Sequence, residues 1–165
     1  MKFKIVIFVA LFLSTWINAQ DVKEVRTQYP KAVSNAEIAA KLDGELSTVT
    51  SSGKPVLLAY KGAVLTLKAK FAKKKSDKKD FFKEGVALIE SAVSADASNI
   101  EIRYIRLSVQ ENSPKFLGYH KNIEEDKEFI LKHYGSISSA ELKEIVKDFA
   151  MKSENFDETE KKSFQ

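Results

Sequence analysis

Residues 98–110, with the sequence SNIEIRYIRLSVQ, decide the fold class. Apolar and polar residues alternate here as in a strand, but the alternation changes phase after Tyr104, so a strand would need a bulge to bury both sets. A helix instead places Ile102 and Ile105 on one face, with the other apolar side chains beside it. We therefore predict a central, mostly buried helix over residues 99–112.

Helix starts are marked by a capping-box pattern, a serine followed three residues later by a glutamate. The pattern occurs at Ser98, and again at Ser34 and Ser138, each time before apolar residues with helical spacing. Apolar periodicity predicts three further helices, at residues 55–72, 76–95 and 123–134. The sequence thus predicts an all-α protein of about six helices, arranged as antiparallel hairpins.

Residues 55–112 resemble two helical hairpins of the tetratricopeptide family. The match consists of Gly85, Ile89, Ala92 and Ala97, which follow the spacing of small and bulky residues in that repeat, with Ala97 where the family has proline. The resemblance implies an α-solenoid-like array whose concave face binds a peptide or another protein. A compact helical bundle that uses the same small residues for close packing is the alternative.

Residues 1–19 have the parts of a secretory signal peptide in the usual order. Two lysines precede an apolar run from Ile5 to Leu13, and Ala19 precedes the expected cleavage site. The uncharged run from Ile5 to Gln20 has 16 residues, fewer than the roughly 20 that span a bilayer. We therefore expect no stable membrane span after cleavage. We expect an exported protein, periplasmic or extracellular, similar to signal-bearing helical proteins of bacterial envelopes.

Composition limits the function classes. Cleavage would remove two of the 27 Lys and Arg residues and leave 25 against 23 Asp and Glu. So small a net charge gives no electrostatic footprint for nucleic acid, and we expect no nucleic-acid partner. The absence of cysteine excludes a disulfide scaffold and a cysteine nucleophile. We expect one helical domain over residues 20–152, followed by a polar tail, 153–165, that frays.

Arginine is rare in this chain, with three residues against 24 lysines, and two of the three are Arg103 and Arg106 in the most apolar predicted helix. Arginine suits partly buried, bidentate pairing with a carboxylate. Two interpretations stay open: an internal ion pair with Glu84 or Glu90, or a groove that receives a partner's carboxylate. The tyrosines that could frame such a groove, or could equally be core aromatics, are Tyr60, Tyr104 and Tyr119.

Residues 68–79 carry seven lysines in twelve positions. One interpretation is a contact with an anionic surface, and the other is a helix end and loop whose cations are solvated. The lysines that would make the anionic contact are Lys73, Lys74, Lys75, Lys78 and Lys79.

The candidate metal ligands and nucleophiles of the sequence do not form a known metal-binding or catalytic motif. His120 and Glu124 are four residues apart, but no third ligand follows at a metal-site spacing, and no nucleophile motif is present. We therefore expect no enzyme, no cofactor and no metal. The predicted function is a non-enzymatic module that binds a protein or peptide. The alternatives are a helical bundle that binds a small ligand or a metal near His120, and a purely structural envelope component.

Overall fold

The computed structural model describes residues 21–165, and over this range the chain contains eight α-helices and no strand. The all-α prediction is therefore confirmed, whereas the predicted signal peptide lies outside the described residues. None of the helices within 21–165 is long and apolar enough to cross a bilayer. The helices are α1 (Asp21–Ala32), α2 (Ala36–Glu45), α3 (Pro55–Phe71), α4 (Lys75–Ala95), α5 (Ile100–Asn112), α6 (Ile123–His133), α7 (Ala140–Lys152) and α8 (Glu158–Lys161).

The three predicted capping patterns do mark helix starts, but the capping residue is one position later in each. Asn35 caps α2 and Asn99 caps α5, each through a side-chain oxygen that accepts from two backbone N–H groups. Ser139 caps α7 through its hydroxyl. Asparagine caps a helix as well as serine does, so the pattern located these ends but not the capping residue. A complete capping box forms instead between Asp157 and Glu160, at the start of α8.

Helix α5 lies at the centre, because every residue from Glu101 to Gln110 is buried. It contacts α3, α4, α6 and α7, and Ile102 and Ile105 have no exposed surface. The prediction of a buried helix here is confirmed. Since this helix also carries charged and amide side chains, their hydrogen-bonding groups must find partners inside the protein.

Helices α3 and α4 form an antiparallel hairpin whose backbones meet at two glycines. A Cβ atom on Gly62 would lie 2.5 Å from the carbonyl oxygen of Gly85, and a Cβ on Gly85 would lie equally close to the Gly62 carbonyl. Ile89 packs directly over Gly62, and Ala92 is buried one turn further on. The residues of the tetratricopeptide-like match thus serve a close helix contact, which suits a bundle and a solenoid-like array alike.

The structure differs from the prediction at both ends of the described chain. Helix α1 adds a seventh long helix to the six expected, and its apolar stripe consists of Val25, Tyr29 and Ala32, all buried. The expectation of a frayed tail is wrong. Phe156 and Phe164 are 2% and 1% exposed and pack edge to face against each other, so two aromatic rings anchor an otherwise polar segment.

Candidate functional site

The two arginines of α5 converge on one carboxylate, Asp126 of α6. Arg103 donates from Nη1 to Asp126 Oδ1 at 2.9 Å, and Arg106 donates from Nε and Nη2 to both carboxylate oxygens at 2.7 Å. The Gln110 amide adds a fourth hydrogen bond at 3.2 Å. Asp126 has no exposed surface, so these buried donors replace water around its carboxylate, and the two guanidinium groups supply the opposite charge.

Two further carboxylates border this pair of arginines. Glu125 forms an ion pair with Arg103, and this hydrogen bond lowers the pKa of the Glu125 carboxyl below its usual value. Glu90 of α4 accepts from Arg106 at 3.2 Å and from the Tyr119 hydroxyl at 2.6 Å. Burial, and then the neighbouring Glu90, raise the pKa of Tyr119, so this phenol stays a neutral donor. The cluster therefore links α4, α5 and α6 through paired charges.

A second buried cluster ties α1 to the opposite face of α5. Arg26 donates two parallel hydrogen bonds, both 2.8 Å long, to the Glu101 carboxylate, and the Tyr60 hydroxyl donates a third at 2.8 Å. Burial and the Glu101 charge raise the pKa of Tyr60 well above its usual value. Tyr29 extends the contact between the two helices, since its hydroxyl lies 3.0 Å from that of Ser108. All three arginines of the chain are thus paired internally.

These contacts decide between the two interpretations of the arginines. The candidate residues for a partner groove are between 0% and 8% exposed: Arg103, Arg106, Tyr60, Tyr104 and Tyr119. They face the interior, and Tyr104 packs edge to face on Phe149. The hypothesis of a partner groove at these residues is therefore wrong, and the internal ion pair is correct, with Glu90 as one of the predicted partners.

The principal partner, Asp126, was missed because it belongs to a run of acids, from Glu124 to Asp126, that suggests a solvated face. A signal was present in the sequence. Asp126 lies four residues before Ile130 and three after Ile123, on the stripe that α6 turns inward, whereas Glu124 is exposed and pairs with Lys127.

The five lysines predicted to contact an anionic surface differ from these arginines, because they lie at the protein surface. All five are exposed, and within residues 21–165 none of them makes a side-chain hydrogen bond or ion pair: Lys73, Lys74, Lys75, Lys78 and Lys79. They surround the corner where α3 passes into α4. Their ammonium groups are solvated, which agrees with both interpretations of the run and leaves them available for an anion.

A groove of about 390 Å³ opens between α2 and this corner. Its floor is apolar and consists of Ala36, Ala39, Ala40, Phe71, Ala72 and Phe81. Its charged rim consists of Lys68, Lys73, Lys74, Asp43 and Asp77. Lys68 already has partners within the protein, since its ammonium lies 2.7 Å from an Asp43 oxygen and 4.7 Å above the Phe81 ring centre. Lys73 and Lys74 are the rim cations that have no partner in the described part of the chain.

The start of α4 lies at this rim and brings charges of both signs there, since Asp77 stands in its first turn next to Lys73 and Lys74. The residue before the helix, Lys74, makes no side-chain hydrogen bond to the first turn, so the first N–H groups of a 21-residue helix lack a side-chain cap. These groups carry the positive end of the helix dipole. The arrangement can hold an apolar group on the floor and a carboxylate at the rim.

His120 has a structural role in the fold. Its Nε2 atom lies 2.9 Å from the Ser113 carbonyl oxygen and so joins the two ends of the segment between α5 and α6. No group of three or more potential metal ligands occurs among residues 21–165. The small-ligand alternative at this residue stays a prediction.

No protein-family model, no curated protein and no solved structure matches this chain. The resemblance to tetratricopeptide hairpins therefore stays a prediction.

Proposed function

We propose that the protein is an exported, non-enzymatic binding module whose groove, between α2 and the α3–α4 corner, receives a short acidic peptide segment of a partner protein. One observation carries this proposal. An apolar floor lies directly beside Lys73 and Lys74, two exposed cations without a partner in the described residues. Export is supported by the signal-peptide pattern of residues 1–19.

The floor provides the affinity in this proposal. The small alanine side chains of α2 and the rings of Phe71 and Phe81 give this floor its apolar surface. The volume falls within the range of about 300–1,000 Å³ that is typical of ligand pockets. One aliphatic or aromatic side chain of a peptide would bury apolar surface there, which stabilises the complex by about 25 cal/mol per Å².

The lysines provide selectivity. Exposed ion pairs contribute at most about 1 kcal/mol each, because water screens both charges. Cations at the rim nevertheless favour acidic over basic segments and speed the first encounter. A peptide with one bulky apolar residue next to aspartate or glutamate is therefore the chemistry that fits both parts of the groove.

The test is a selection of random displayed peptides on the immobilised chain from Gln20 to Gln165, which contains all of the described core. Peptides that also bind an Ala40→Trp variant are removed. Ala40 is exposed and lines the groove, so tryptophan there fills the groove without entering the core. We expect the retained peptides to share a bulky apolar residue flanked by acids.

The affinities of one selected synthetic peptide for the wild type and its variants then separate the contribution of the apolar floor from that of the rim lysines. We expect Ala40→Trp to weaken binding at least about tenfold and Lys73→Gln with Lys74→Gln to weaken it several-fold. The double variant Lys132→Gln with Lys152→Gln is the matched control. Both lysines are exposed and lie far from the groove residues in the sequence, so the affinity should stay unchanged. If every peptide that binds the wild type also binds Ala40→Trp, so that none is retained, the proposal is overturned.

A further inference from the structure

Phe116 is the most exposed large hydrophobic residue in the described chain, at 86%, and Met151 follows at 39%. It lies in a short 3-10 turn, Lys115–Leu117, between α5 and α6. Single exposed apolar residues are common on protein surfaces, so exposure alone indicates no function. Exposure of an apolar side chain indicates a binding contact only where the chain also holds that side chain in a fixed, protruding position.

The segment that carries Phe116, residues 113–122, is held at several points. The contact between His120 and the Ser113 carbonyl joins its ends, at 2.9 Å. Tyr119 is buried, donates to Glu90 and packs edge to face on a ring of α4. The loop is therefore ordered before any partner arrives, and binding through its tip requires little further loss of conformational entropy.

Backbone conformation sets the direction of this loop. Gly118 has a φ of 68°, in the left-handed region that favours glycine, and its N–H closes the 3-10 turn on the Lys115 carbonyl. The chain reverses at this point and enters the core with Tyr119. Phe116 is thereby left at the outside of the turn.

Charge indicates what could cover this tip. Residues 113–122 include Lys115 and Lys121 and no acidic residue, and both lysines are exposed without a partner within residues 21–165. An exposed aromatic ring with lysines before and after it in the sequence suits the boundary between water and an anionic lipid layer, where the ring enters the headgroup region and the ammonium groups meet phosphates.

The near-complete exposure of the single side chain of Phe116 favours lipid over a protein partner. A single projecting side chain contacts a protein well only where that protein has a matching pocket, whereas a lipid surface yields around any side chain. We propose that residues 113–122 form a contact for anionic lipid surfaces, through Phe116, Lys115 and Lys121. This contact is independent of the peptide groove between α2 and the α3–α4 corner.

Fluorescence tests the contact directly. The chain from Gln20 to Gln165 contains no tryptophan, because Trp16 is the only one, so a Phe116→Trp variant reports from the tip alone. With vesicles of mixed phosphatidylglycerol and phosphatidylcholine we expect a blue shift and quenching by brominated acyl chains, both reversed by salt. With phosphatidylcholine alone we expect little change. Met151→Trp, the matched exposed position, should report no insertion.

Vesicle sedimentation supplies the second measurement. We expect Phe116→Ala to weaken binding several-fold and Lys115→Gln with Lys121→Gln to weaken it about tenfold, whereas Met151→Ala leaves it unchanged. Circular dichroism of each variant checks that the fold is kept. The proposal fails if wild type does not bind the anionic vesicles, if Phe116→Ala binds them equally well, or if tryptophan at 116 shifts only with an added protein. Peptide binding in the groove should not respond to Phe116→Ala, so the two proposals fail separately.

Discussion

The arginines of α5 and the lysines of residues 73–79 carry the same charge in opposite surroundings. Arg106 exposes 4% of its side chain and meets Asp126 through two hydrogen bonds, whereas Lys73 and Lys74 are exposed and have no partner in the described residues. A buried charge must be matched because its desolvation is costly, and an exposed charge is satisfied by water. Only the second kind can meet a partner at little cost, which is why the proposed site lies at the lysines.

Removing the acid of the arginine cluster should have the largest effect. Asp126→Ala leaves two buried guanidinium groups without their main partner, and we expect the free energy of unfolding to fall by about 3–5 kcal/mol. Urea unfolding measures the change. Glu128→Ala, at an exposed acid of the same helix, is the control and should change it by less than about 0.5 kcal/mol. A loss under about 1 kcal/mol for Asp126→Ala would show that water reaches the arginines.

The next effect concerns the hairpin that carries the lysine corner. Gly62→Ala places a methyl group 2.5 Å from a backbone oxygen of α4, so we expect a loss of about 1–3 kcal/mol from the overpacked contact. Gly44→Ala is the matched control within α2, where nothing lies within 4 Å, and it should stabilise the helix by about 0.5–1 kcal/mol. Equal unfolding midpoints for the two variants would contradict the close approach of α3 and α4.

Alkaline pH should destabilise the protein through the buried tyrosines in and around α5. Burial raises the pKa of Tyr29 to about 12, and it also raises the pKa values of Tyr60 and Tyr104. An unfolded tyrosine loses its proton near pH 10, whereas the folded one keeps it. The stability is therefore complete below about pH 10 and falls as pH rises from there through about 12.

Melting temperatures across this range, with phenolate absorbance recorded in parallel, give the measurement. Tyr29→Phe removes one such proton and should make the decline shallower. Phenolate that forms in the native protein well before unfolding would show that these hydroxyls are open to water.

Neutralising the lysine corner should have the smallest effect on the fold. Lys73, Lys74 and Lys75 have no partner within residues 21–165, so we expect their replacement by glutamine to change stability by no more than about 0.5 kcal/mol. Far-ultraviolet circular dichroism and urea unfolding check this. A marked loss of helicity would mean that the lysines support the structure and would weaken the argument for a binding site.

The fold class could be predicted because it depends on local spacing. The apolar pattern of residues 98–110 favours a helix, which buries both apolar sets without a bulge, and this helix is buried from Glu101 to Gln110. Capping patterns located helix starts to within one residue, since neighbouring polar residues compete for the same N–H groups. The prediction of a frayed tail was based on its polar composition. It is wrong because two aromatic residues of this segment, Phe156 and Phe164, are buried in the core and hold it in place.

The candidate site could be predicted only in part. The lysine run is visible in the sequence, but its apolar floor combines α2 with residues of α3 and α4 that lie up to 45 positions further along, from Ala36 to Phe81. For the arginines of α5, the sequence leaves two interpretations open, an internal ion pair and a groove for a partner's carboxylate. Their residue type indicates carboxylate pairing, yet nothing local shows whether that carboxylate belongs to this chain or to another.

The sequence by itself therefore determined helices α2 to α7, the burial of α5 and the presence of a strongly basic segment, because these depend on residues within a few turns of each other. The tertiary structure alone decided that Asp126 neutralises both arginines of α5, that α2 completes a groove at the lysine corner, and that Phe116 protrudes from an ordered loop. These features depend on how helices pack across gaps of twenty or more residues, and the packing is fixed by the whole core at once.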